Sequence, residues 1–381
     1  RREPALLILR SLCSLLVVGL VAAPIACAPG EDEGPGSEPD TLRIGLYDEE
    51  QLLAHPDEAF SLLGELRPSV LRANLRWDLI AVAEPADPSD HRDPAYNWAA
   101  YDDLARRASA GKMELLLHIF GTPPWANEGA GINVAPTDVA ALEAFAYAAA
   151  SHFPSVRLWA AWNEPNLSLF LAPSWERQGE ELVPVAAQAY AGMCNAVWGG
   201  VHRAGRDAGV EETVACGVTS PRGRGGEAIA PLRFLQELKE AGARFDAYAH
   251  HPYARRPDVS PSTPPSDRFT VSLANIGDLL AELDRLYGSS IPLWITEYAY
   301  ETNPPDPDIG VSWETQAAWM QEAYELAAAN PRIELFTWFL LRDEPDRNGA
   351  EPGVAGWQSG LLTESGERKP AFDTFRELAG G

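Results

Sequence analysis

The sequence predicts a single (β/α)8 barrel, and three observations lead to this fold class. Short apolar stretches with strand patterning alternate eight times with longer amphipathic stretches along the 381-residue chain. The chain has a suitable length for one such barrel, and 46% of its residues are hydrophobic, enough for a large core. Acidic, histidine, amide and aromatic side chains lie at the ends of several predicted strands, where such barrels carry their sites. The alternative is an open doubly wound sheet, but no G-x-G-x-x-G motif follows the first strand.

The N-terminal segment is typical of an export signal. Arginines at positions 1, 2 and 10 precede an apolar stretch over 11–23, and small residues follow it. Cleavage within 26–28, lipoprotein processing at Cys27 and a retained, rather short membrane anchor are the three alternatives. We therefore expect residues 1–27 to be a signal peptide or a lipoprotein signal. In each case the protein is expected to be extracellular or at the cell surface, with membrane contact only through a lipid anchor at Cys27.

Residues 28–40 are rich in glycine, proline and acidic side chains and have no periodicity. This composition predicts a flexible acidic linker. Residues 41–381 then form the one folded domain.

Strand and helix signals alternate through this domain. The predicted strands are Leu42–Tyr47, Ser69–Leu75, Glu114–Ile119, Val156–Asn163, Thr213–Val218, Phe245–His250, Leu293–Thr296 and Ile333–Leu340. The clearest predicted helices are Trp98–Ala110, Asp138–His152 after a cap at Thr137, Ala186–Ala204, Leu273–Tyr287, Trp313–Ala329 after Ser312, and Ala371–Leu378.

Composition limits the classes of partner. A net charge of −25 disfavours a nucleic acid, because binding a phosphate backbone requires a basic face. Twelve tryptophans mildly favour a carbohydrate site, whose walls use flat aromatic faces.

Cys194 and Cys216 lie in the predicted domain, and either one disulfide or two buried thiols fits the sequence. No Cys/His cluster has zinc spacing, so we expect neither a metal nor an organic cofactor. The oligomeric state stays open.

Two glutamates stand at the ends of predicted strands. The stretch LWAAWNEPN over 158–166 reaches Pro165, which has no backbone N–H and stops a central strand, so Glu164 lies at the strand end. Period-2 alternation places Glu164 on the side of Trp162, Ala160 and Leu158. The stretch PLWIT over 292–296 likewise ends at Glu297. Hydrolysis of a glycosidic bond requires such a carboxyl pair. The alternative is two unrelated, solvated strand-end glutamates.

Other polar and aromatic residues are predicted at the same end of the barrel. They lie near the ends of the second, third, sixth and eighth strands or in the loops that follow. These residues are Arg72, Asn74, Trp77, His118, Trp125, His250, His251, Tyr253, Trp338, Arg342, Asp343 and Glu344.

Four motifs together resemble a known group of enzymes. WNEPN at 162–166, GTPPWAN at 121–127, HHPY at 250–253 and ITEYAY at 295–300 are similar to motifs of the retaining (β/α)8 glycoside hydrolases. In that clan the fourth and seventh strands each end in a catalytic glutamate, and the motifs most resemble glycoside hydrolase family 39. This family includes β-xylosidases, α-L-iduronidases and bacterial exopolysaccharide hydrolases. The resemblance runs from about Thr41 to the end of the chain.

The resemblance implies roles for the residues that match. Glu164 corresponds to the general acid/base and Glu297 to the nucleophile. Asn163 would bond to the 2-hydroxyl of the sugar at the cleavage point. Arg72 would lie beside the nucleophile and hold it ionised, with an ordinary salt bridge as the alternative. Identical carboxyls can take opposite roles only if their surroundings differ in this way.

Five further substrate-binding positions follow from the same resemblance. Tyr253 would orient the nucleophile, with His251 beside it. Trp338 would form the floor of the subsite on the non-reducing side of the bond, and core packing is its alternative. His118 and Trp125 lie at the third predicted strand and its loop, which varies widely in the clan.

The sequence therefore predicts an extracellular retaining glycoside hydrolase that cleaves O-glycosidic bonds in a poly- or oligosaccharide by double displacement. A catalytically inactive carbohydrate-binding barrel is the alternative. A metal-dependent hydrolase on the same fold would usually carry H-x-H on the first strand, which here reads RIGLYDEE. Sugar identity, linkage, anomer and endo or exo action stay open.

Overall fold

The computed structural model describes residues 42–223, 226–254, 256, 258–307, 309–345 and 356–380. The predicted signal and linker, including Cys27, lie outside the described residues.

The described residues contain ten strands, numbered in chain order. They are β1 Arg43–Tyr47, β2 Val70–Arg76, β3 Glu114–Phe120, β4 Leu158–Ala161, β5 Trp175–Gln178, β6 Glu181–Pro184, β7 Thr213–Thr219, β8 Ala247–His250, β9 Leu293–Tyr298 and β10 Ile333–Phe339. Eight of them close into a parallel barrel in the order β1-β10-β9-β8-β7-β4-β3-β2, while β5 and β6 form a separate antiparallel hairpin. The predicted fold class is confirmed, and each predicted barrel strand is present within a few residues of its expected bounds.

Ten α-helices accompany the strands in this part of the chain. They are α1 Glu49–Ala54, α2 Pro56–Leu66, α3 Trp77–Ile80, α4 Ala99–Ala110, α5 Val139–His152, α6 Ala186–Ala208, α7 Pro231–Glu240, α8 Ile276–Tyr287, α9 Trp313–Ala328 and α10 Pro370–Leu378. None of the helices in the described ranges is both long and apolar enough to cross a membrane.

The first residues of two helices can be compared with the N-caps predicted from the sequence. The Ser312 hydroxyl accepts from the Thr315 N–H and begins α9 as predicted. The predicted cap at Thr137 is wrong by one residue, because the Asp138 carboxylate accepts from the Ala140 N–H and caps α5. Residues 273–275, predicted as helix, form a separate 3₁₀ turn before α8.

Small residues make room inside the barrel. A distinct buried cluster takes alternate residues from the barrel strands, including four alanines and the large Trp294. In parallel barrels such residues fill the interior in layers. Gly45 on β1 also leaves room for its neighbours, because a Cβ there would lie 2.8 Å from the Thr337 hydroxyl oxygen. The interior is therefore a packed core that supports the site at its end.

Cys194 and Cys216 form a disulfide between α6 and β7, with their Cα atoms 6.1 Å apart. Both residues are fully buried. Of the two alternatives that the sequence left open, the bridge is the one present.

Candidate active site

A cavity of about 580 Å³ lies where the barrel strands end. Its walls come from the carboxyl ends of strands and the loops that follow them, including Tyr47, Asn163, Glu164, Tyr253 and Glu297. This is the end of the barrel at which (β/α)8 proteins carry their sites. Of the residues predicted at strand ends, Asn74, Asn163, Glu164, Tyr253 and Glu297 line this one cavity.

The two glutamates approach each other at the bottom of this cavity. One carboxylate oxygen of Glu164, one of Glu297 and a ring nitrogen of His251 all lie within 4.8 Å of one another. The side chains of the two glutamates are 12% and 11% exposed, so both are shielded yet open to a ligand.

Glu164 reaches the cavity through a turn and not by simple strand alternation. β4 ends at Ala161, and Trp162 and Glu164 have left-handed φ values of 67° and 37°. Leu158 and Ala160 belong to the interior cluster, whereas the ring of Trp162 packs against Phe120 at 4.8 Å. The predicted shared face is therefore wrong for Trp162, because the backbone stops being extended before it.

Asn166 holds this turn and was missed by the sequence reasoning. Its side chain is fully buried and accepts from the Ser220 N–H at 2.9 Å. Its amide donates to the carbonyl oxygens of Ser220, Arg222 and Ile229 at 3.0–3.2 Å. These bonds tie the loop after β4 to the loop after β7 and so fix the backbone that carries Glu164.

Glu297 belongs to β9 itself, which continues to Tyr298 beyond the predicted end at Thr296. Arg72, fully buried on β2, donates to its Oε1 at 2.6 Å and to the Thr296 carbonyl at 2.8 Å. The Tyr253 hydroxyl donates to Oε2 at 3.0 Å. Burial raises the pKa of Tyr253 well above its usual value, so the phenol stays protonated as this donor.

Arg72 also orients Asn163. Its Nη2 donates to Asn163 Oδ1 at 2.7 Å, and its guanidinium carbon lies 4.2 Å from the centre of the Tyr47 ring. Because the amide oxygen is engaged by the arginine, the amide NH₂ is the end left to meet a ligand acceptor.

His251 bridges the two acids. Its Nδ1 lies 2.9 Å from Glu164 Oε1 and 3.4 Å from Glu297 Oε2, and its Nε2 lies 3.0 Å from the Thr296 hydroxyl. Burial lowers the pKa of His251 to about 4, against a smaller upward effect from Glu164. The imidazole is therefore neutral at pH 7. A proton on Nδ1 satisfies both sides, because Nδ1 then donates to the carboxylates while Nε2 accepts from Thr296.

Arg72 and His251 contact the glutamates without lining the cavity, and three other predicted binding residues neither line it nor contact the glutamates. Trp338 is fully buried, and its indole N–H donates to the Ser359 carbonyl at 3.0 Å, so it packs in the core. His118 is also fully buried, with Nδ1 3.2 Å from the Trp162 carbonyl oxygen. Trp125 packs edge-on against Trp77 at 5.6 Å and donates to the Ala81 carbonyl. The predicted subsite floor at Trp338 is thus wrong. His250, expected to be structural, is buried and bonded to Thr219.

Two cavity-lining residues, Trp357 and Glu301, were not predicted as site residues from the sequence. Trp357 is 46% exposed, lines the cavity and packs edge-on against Phe339 at 5.6 Å. Glu301 is a third acid in the lining, and burial raises its pKa to about 7. Glu301 follows the ITEYAY motif directly, which was the available signal. Trp357 lies in a loop without strand or helix patterning, and no sequence signal marks it.

Comparisons with known proteins add evidence on the fold. No protein-family model matches the chain, and no curated protein matches its sequence. Among solved structures, a family 39 glycoside hydrolase from Bacteroides cellulosilyticus WH2 is similar over 89% of this chain and 64% of its own, with 18% identity and a TM-score of 0.61. A glucosidase from Croceicoccus marinus is similar over 90% of this chain and 68% of its own, at 15% identity and a TM-score of 0.64.

A monomeric β-xylosidase from Caulobacter crescentus CB15 is similar over 89% of this chain and 68% of its own, at 17% identity and a TM-score of 0.58. The chain thus spans roughly two thirds of the length of these structures. At such low identity these likenesses show the fold. The resemblance to family 39 glycoside hydrolases predicted from the motifs is confirmed at that level.

Glu164, His251 and Glu297 are also the one group of three potential metal ligands among the residues that the structure describes. Arg72 places its positive charge 2.6 Å from Glu297. A second cation beside it would be repelled, so the cluster is poorly suited to holding a metal ion.

Proposed function

We propose that this protein is a retaining glycoside hydrolase that cleaves O-glycosidic bonds by double displacement. The observation that carries the proposal is the approach of the Glu164 and Glu297 carboxylates, whose nearer oxygens lie within 4.8 Å. Retaining enzymes place the two carboxyl groups about 5–5.5 Å apart, whereas inverting enzymes need roughly 6.5–9.5 Å to admit a water. The geometry supports direct attack by one carboxylate.

The hydrogen bonds distinguish the two roles. Glu297 receives Arg72 on one oxygen and Tyr253 on the other, an arrangement that stabilises a carboxylate anion. Such an anion can attack the anomeric carbon, which makes Glu297 the nucleophile. Glu164 has only the neutral His251 as a close side-chain donor among its described contacts. It can therefore carry a proton to the leaving oxygen and later take one from water, as the acid/base.

Asn163 and Tyr253 position these groups. The free NH₂ of Asn163 is available for a sugar hydroxyl beside the nucleophile, since its oxygen is bonded to Arg72. The inactive binding barrel expected as an alternative gains no support from the geometry, because both carboxyls are present, shielded and within reacting distance.

One experiment tests the proposal directly. Purified residues 41–381 should hydrolyse at least one member of a panel of 4-nitrophenyl glycosides and polysaccharides. Proton NMR of the first-formed product should show the anomeric configuration of the substrate, as double displacement requires. An inverted first product would contradict the assigned mechanism, and inactivity across the panel would count against the function.

The cavity wall gives a second prediction. Trp357→Ala should lower kcat/KM about tenfold, because the exposed ring lines the cavity, while the melting temperature stays near that of the parent protein. Trp338→Ala is the matched control. It removes a fully buried ring and should cost about 3–5 kcal/mol of unfolding free energy. The reverse pattern, a stability loss at Trp357 and a purely kinetic loss at Trp338, would restore Trp338 as the subsite residue.

We also propose that the protein is exported. The arginines and apolar stretch of residues 1–27 support this, and so does the buried disulfide between Cys194 and Cys216, since such bonds persist in oxidising compartments. Cell fractionation should find the protein outside the cytoplasm. If Cys27 is lipidated, Cys27→Ser should release it from the membrane with unchanged activity. A cytoplasmic protein with an intact N-terminus would contradict export.

A further inference from the structure

Trp357 is held by its backbone while its ring stays exposed at the cavity. The Glu344 N–H donates to the Trp357 carbonyl oxygen at 2.9 Å, and the Trp357 N–H donates to Glu344 Oε2 at 3.0 Å. The side-chain amide of Gln358 donates to the carbonyl oxygens of Glu344 and Gly356, both at 3.0 Å. A group that is already fixed loses little freedom when a ligand binds, so this ring is prepared for contact.

Glu301 is joined to Trp357 through the next residue. The Gln358 N–H donates to Glu301 Oε2 at 3.2 Å. The N–H and the hydroxyl of Thr302 donate to the Gln358 carbonyl oxygen at 3.1 Å and 3.0 Å. Glu301 Oε1 has no hydrogen-bond partner among the described residues, although Glu301 lines the cavity. An exposed indole and an unused carboxyl oxygen therefore belong to one part of the cavity lining.

Lys369 ties the same two loops together. Its fully buried ammonium group donates to the Thr302 hydroxyl at 2.8 Å and to the Gln358 carbonyl oxygen at 3.1 Å. It also donates to Asp343 Oδ1 at 2.7 Å. An ammonium group has three hydrogens, so these bonds use all of them. Lys369 thus holds the residues next to Glu301 and Trp357 and has no hydrogen left for a ligand.

The charges that act on Glu301 are mostly negative. Burial raises the pKa of Glu301 to about 7, and the Gln358 N–H acts against this rise. The carboxylates of Asp306, Asp343 and Glu344 raise the pKa further. An added negative charge beside Glu301 would meet the same repulsion.

The described cavity lining contains one basic residue, the exposed Arg222. Arg222 follows β7, whereas Glu301 follows β9 and Trp357 follows β10, and β8 separates β7 from β9 in the barrel. No basic residue in the described part of the loops after β9 and β10 lines the cavity. These loops therefore supply carboxyl groups to a ligand without a cation to neutralise an acidic one.

From these contacts we infer that Trp357 and Glu301 form one sugar-binding subsite, which selects a neutral sugar over an acidic one. The indole packs against the sugar ring, and the unused carboxyl oxygen of Glu301 binds a hydroxyl group. The inference rests on the proposed function and narrows its substrate class. A uronic acid or a sulfated sugar in this subsite would place a second negative charge beside Glu301.

Matched sugars that differ only at C6 test this inference. Methyl glucoside is compared with methyl glucuronide, and methyl galactoside with methyl galacturonide, each in the anomeric form that the enzyme cleaves. They serve as competitive inhibitors of the fastest 4-nitrophenyl substrate, and the pair whose neutral member inhibits more strongly is used. At about pH 8 we expect the inhibition constant of the uronide to be about tenfold higher, because Glu301 is then ionised. At about pH 6 the ratio should shrink, because Glu301 takes up a proton below its pKa of about 7.

Paired variants locate the effect. Glu301→Gln removes the charge but keeps a group that binds hydroxyls, so the uronide should inhibit several-fold more strongly and its pH dependence should disappear. Glu128→Gln is the matched control, since Glu128 is exposed and lies outside the cavity lining. It should keep the ratio of the parent enzyme. Trp357→Ala should raise the inhibition constants of both sugars by the same factor, because it removes a contact with the ring.

Three results would overturn the inference while hydrolysis itself stands. They are equal inhibition by the two members of the pair or inhibition by neither, the same ratio in Glu301→Gln and Glu128→Gln, and unchanged inhibition constants in Trp357→Ala. Failure to hydrolyse any glycoside would instead overturn the proposed function, and this inference with it.

Discussion

We expect Glu297→Gln to abolish hydrolysis of every glycoside that the parent enzyme cleaves, whatever its leaving group. The substitution keeps the size of the side chain but removes the nucleophilic carboxylate, so no glycosyl-enzyme can form. Loss of a covalent nucleophile elsewhere has lowered kcat by on the order of 10⁶-fold, and a loss of that order is expected here. Initial rates with an aryl glycoside and an alkyl glycoside measure it.

Folding has to be controlled in this variant, because Arg72 is fully buried and loses its charge partner. Breaking a buried pair can cost about 3–5 kcal/mol, so the melting temperature should be measured beside the activity. Glutamine is preferred over alanine because its amide oxygen can still accept from Arg72. A 2-fluoroglycoside inactivator should label Glu297 in the parent enzyme. Labelling of Glu301, the third acid in the cavity lining, would contradict the assignment.

Glu164→Ala should give a loss that depends on the leaving group. For an alkyl glycoside, kcat/KM should fall roughly 10²- to 10⁴-fold, the contribution typical of a general acid. For a 2,4-dinitrophenyl glycoside the first step should be little affected, because that leaving group departs without protonation. Turnover would then stall at the glycosyl-enzyme, since no base activates the water.

Added azide provides the decisive measurement for this variant. As an anion that needs no general base, it should attack the stalled intermediate and restore turnover. The product should be a glycosyl azide with the configuration of the substrate. Glu301→Ala is the matched control, since it removes an acid from the same cavity and should show no such rescue. An equal loss for both leaving groups, or a glycosyl azide of opposite configuration, would contradict Glu164 as the acid/base.

The placement of Trp338 shows where sequence patterning stops being sufficient. Trp338 and Phe339 are neighbours on β10, so their side chains point to opposite faces, and only Phe339 lines the cavity. Leu335 belongs to the interior cluster and Phe339 lines the cavity, so alternation is unbroken along β10 and puts Trp338 on the outer face of the barrel. Which of its two faces a strand turns inward is decided by its pairing in the closed barrel, and the local sequence does not reveal it. The exposed tryptophan in the cavity wall is instead Trp357, which lies in a loop after β10.

The sequence by itself determined the eight barrel strands and the strand-end positions of Glu164 and Glu297. It could do so because apolar periodicity, Pro165 and the strand-end location of polar residues are local signals that survive in any packing. The tertiary structure alone decided the bridge formed by His251, the two bonds from Arg72 and the left-handed turn that aims Glu164. It also decided which aromatic rings are exposed. These features depend on contacts between residues that lie far apart in the chain, as Arg72 and Glu297 do, so their geometry exists only once the barrel has closed.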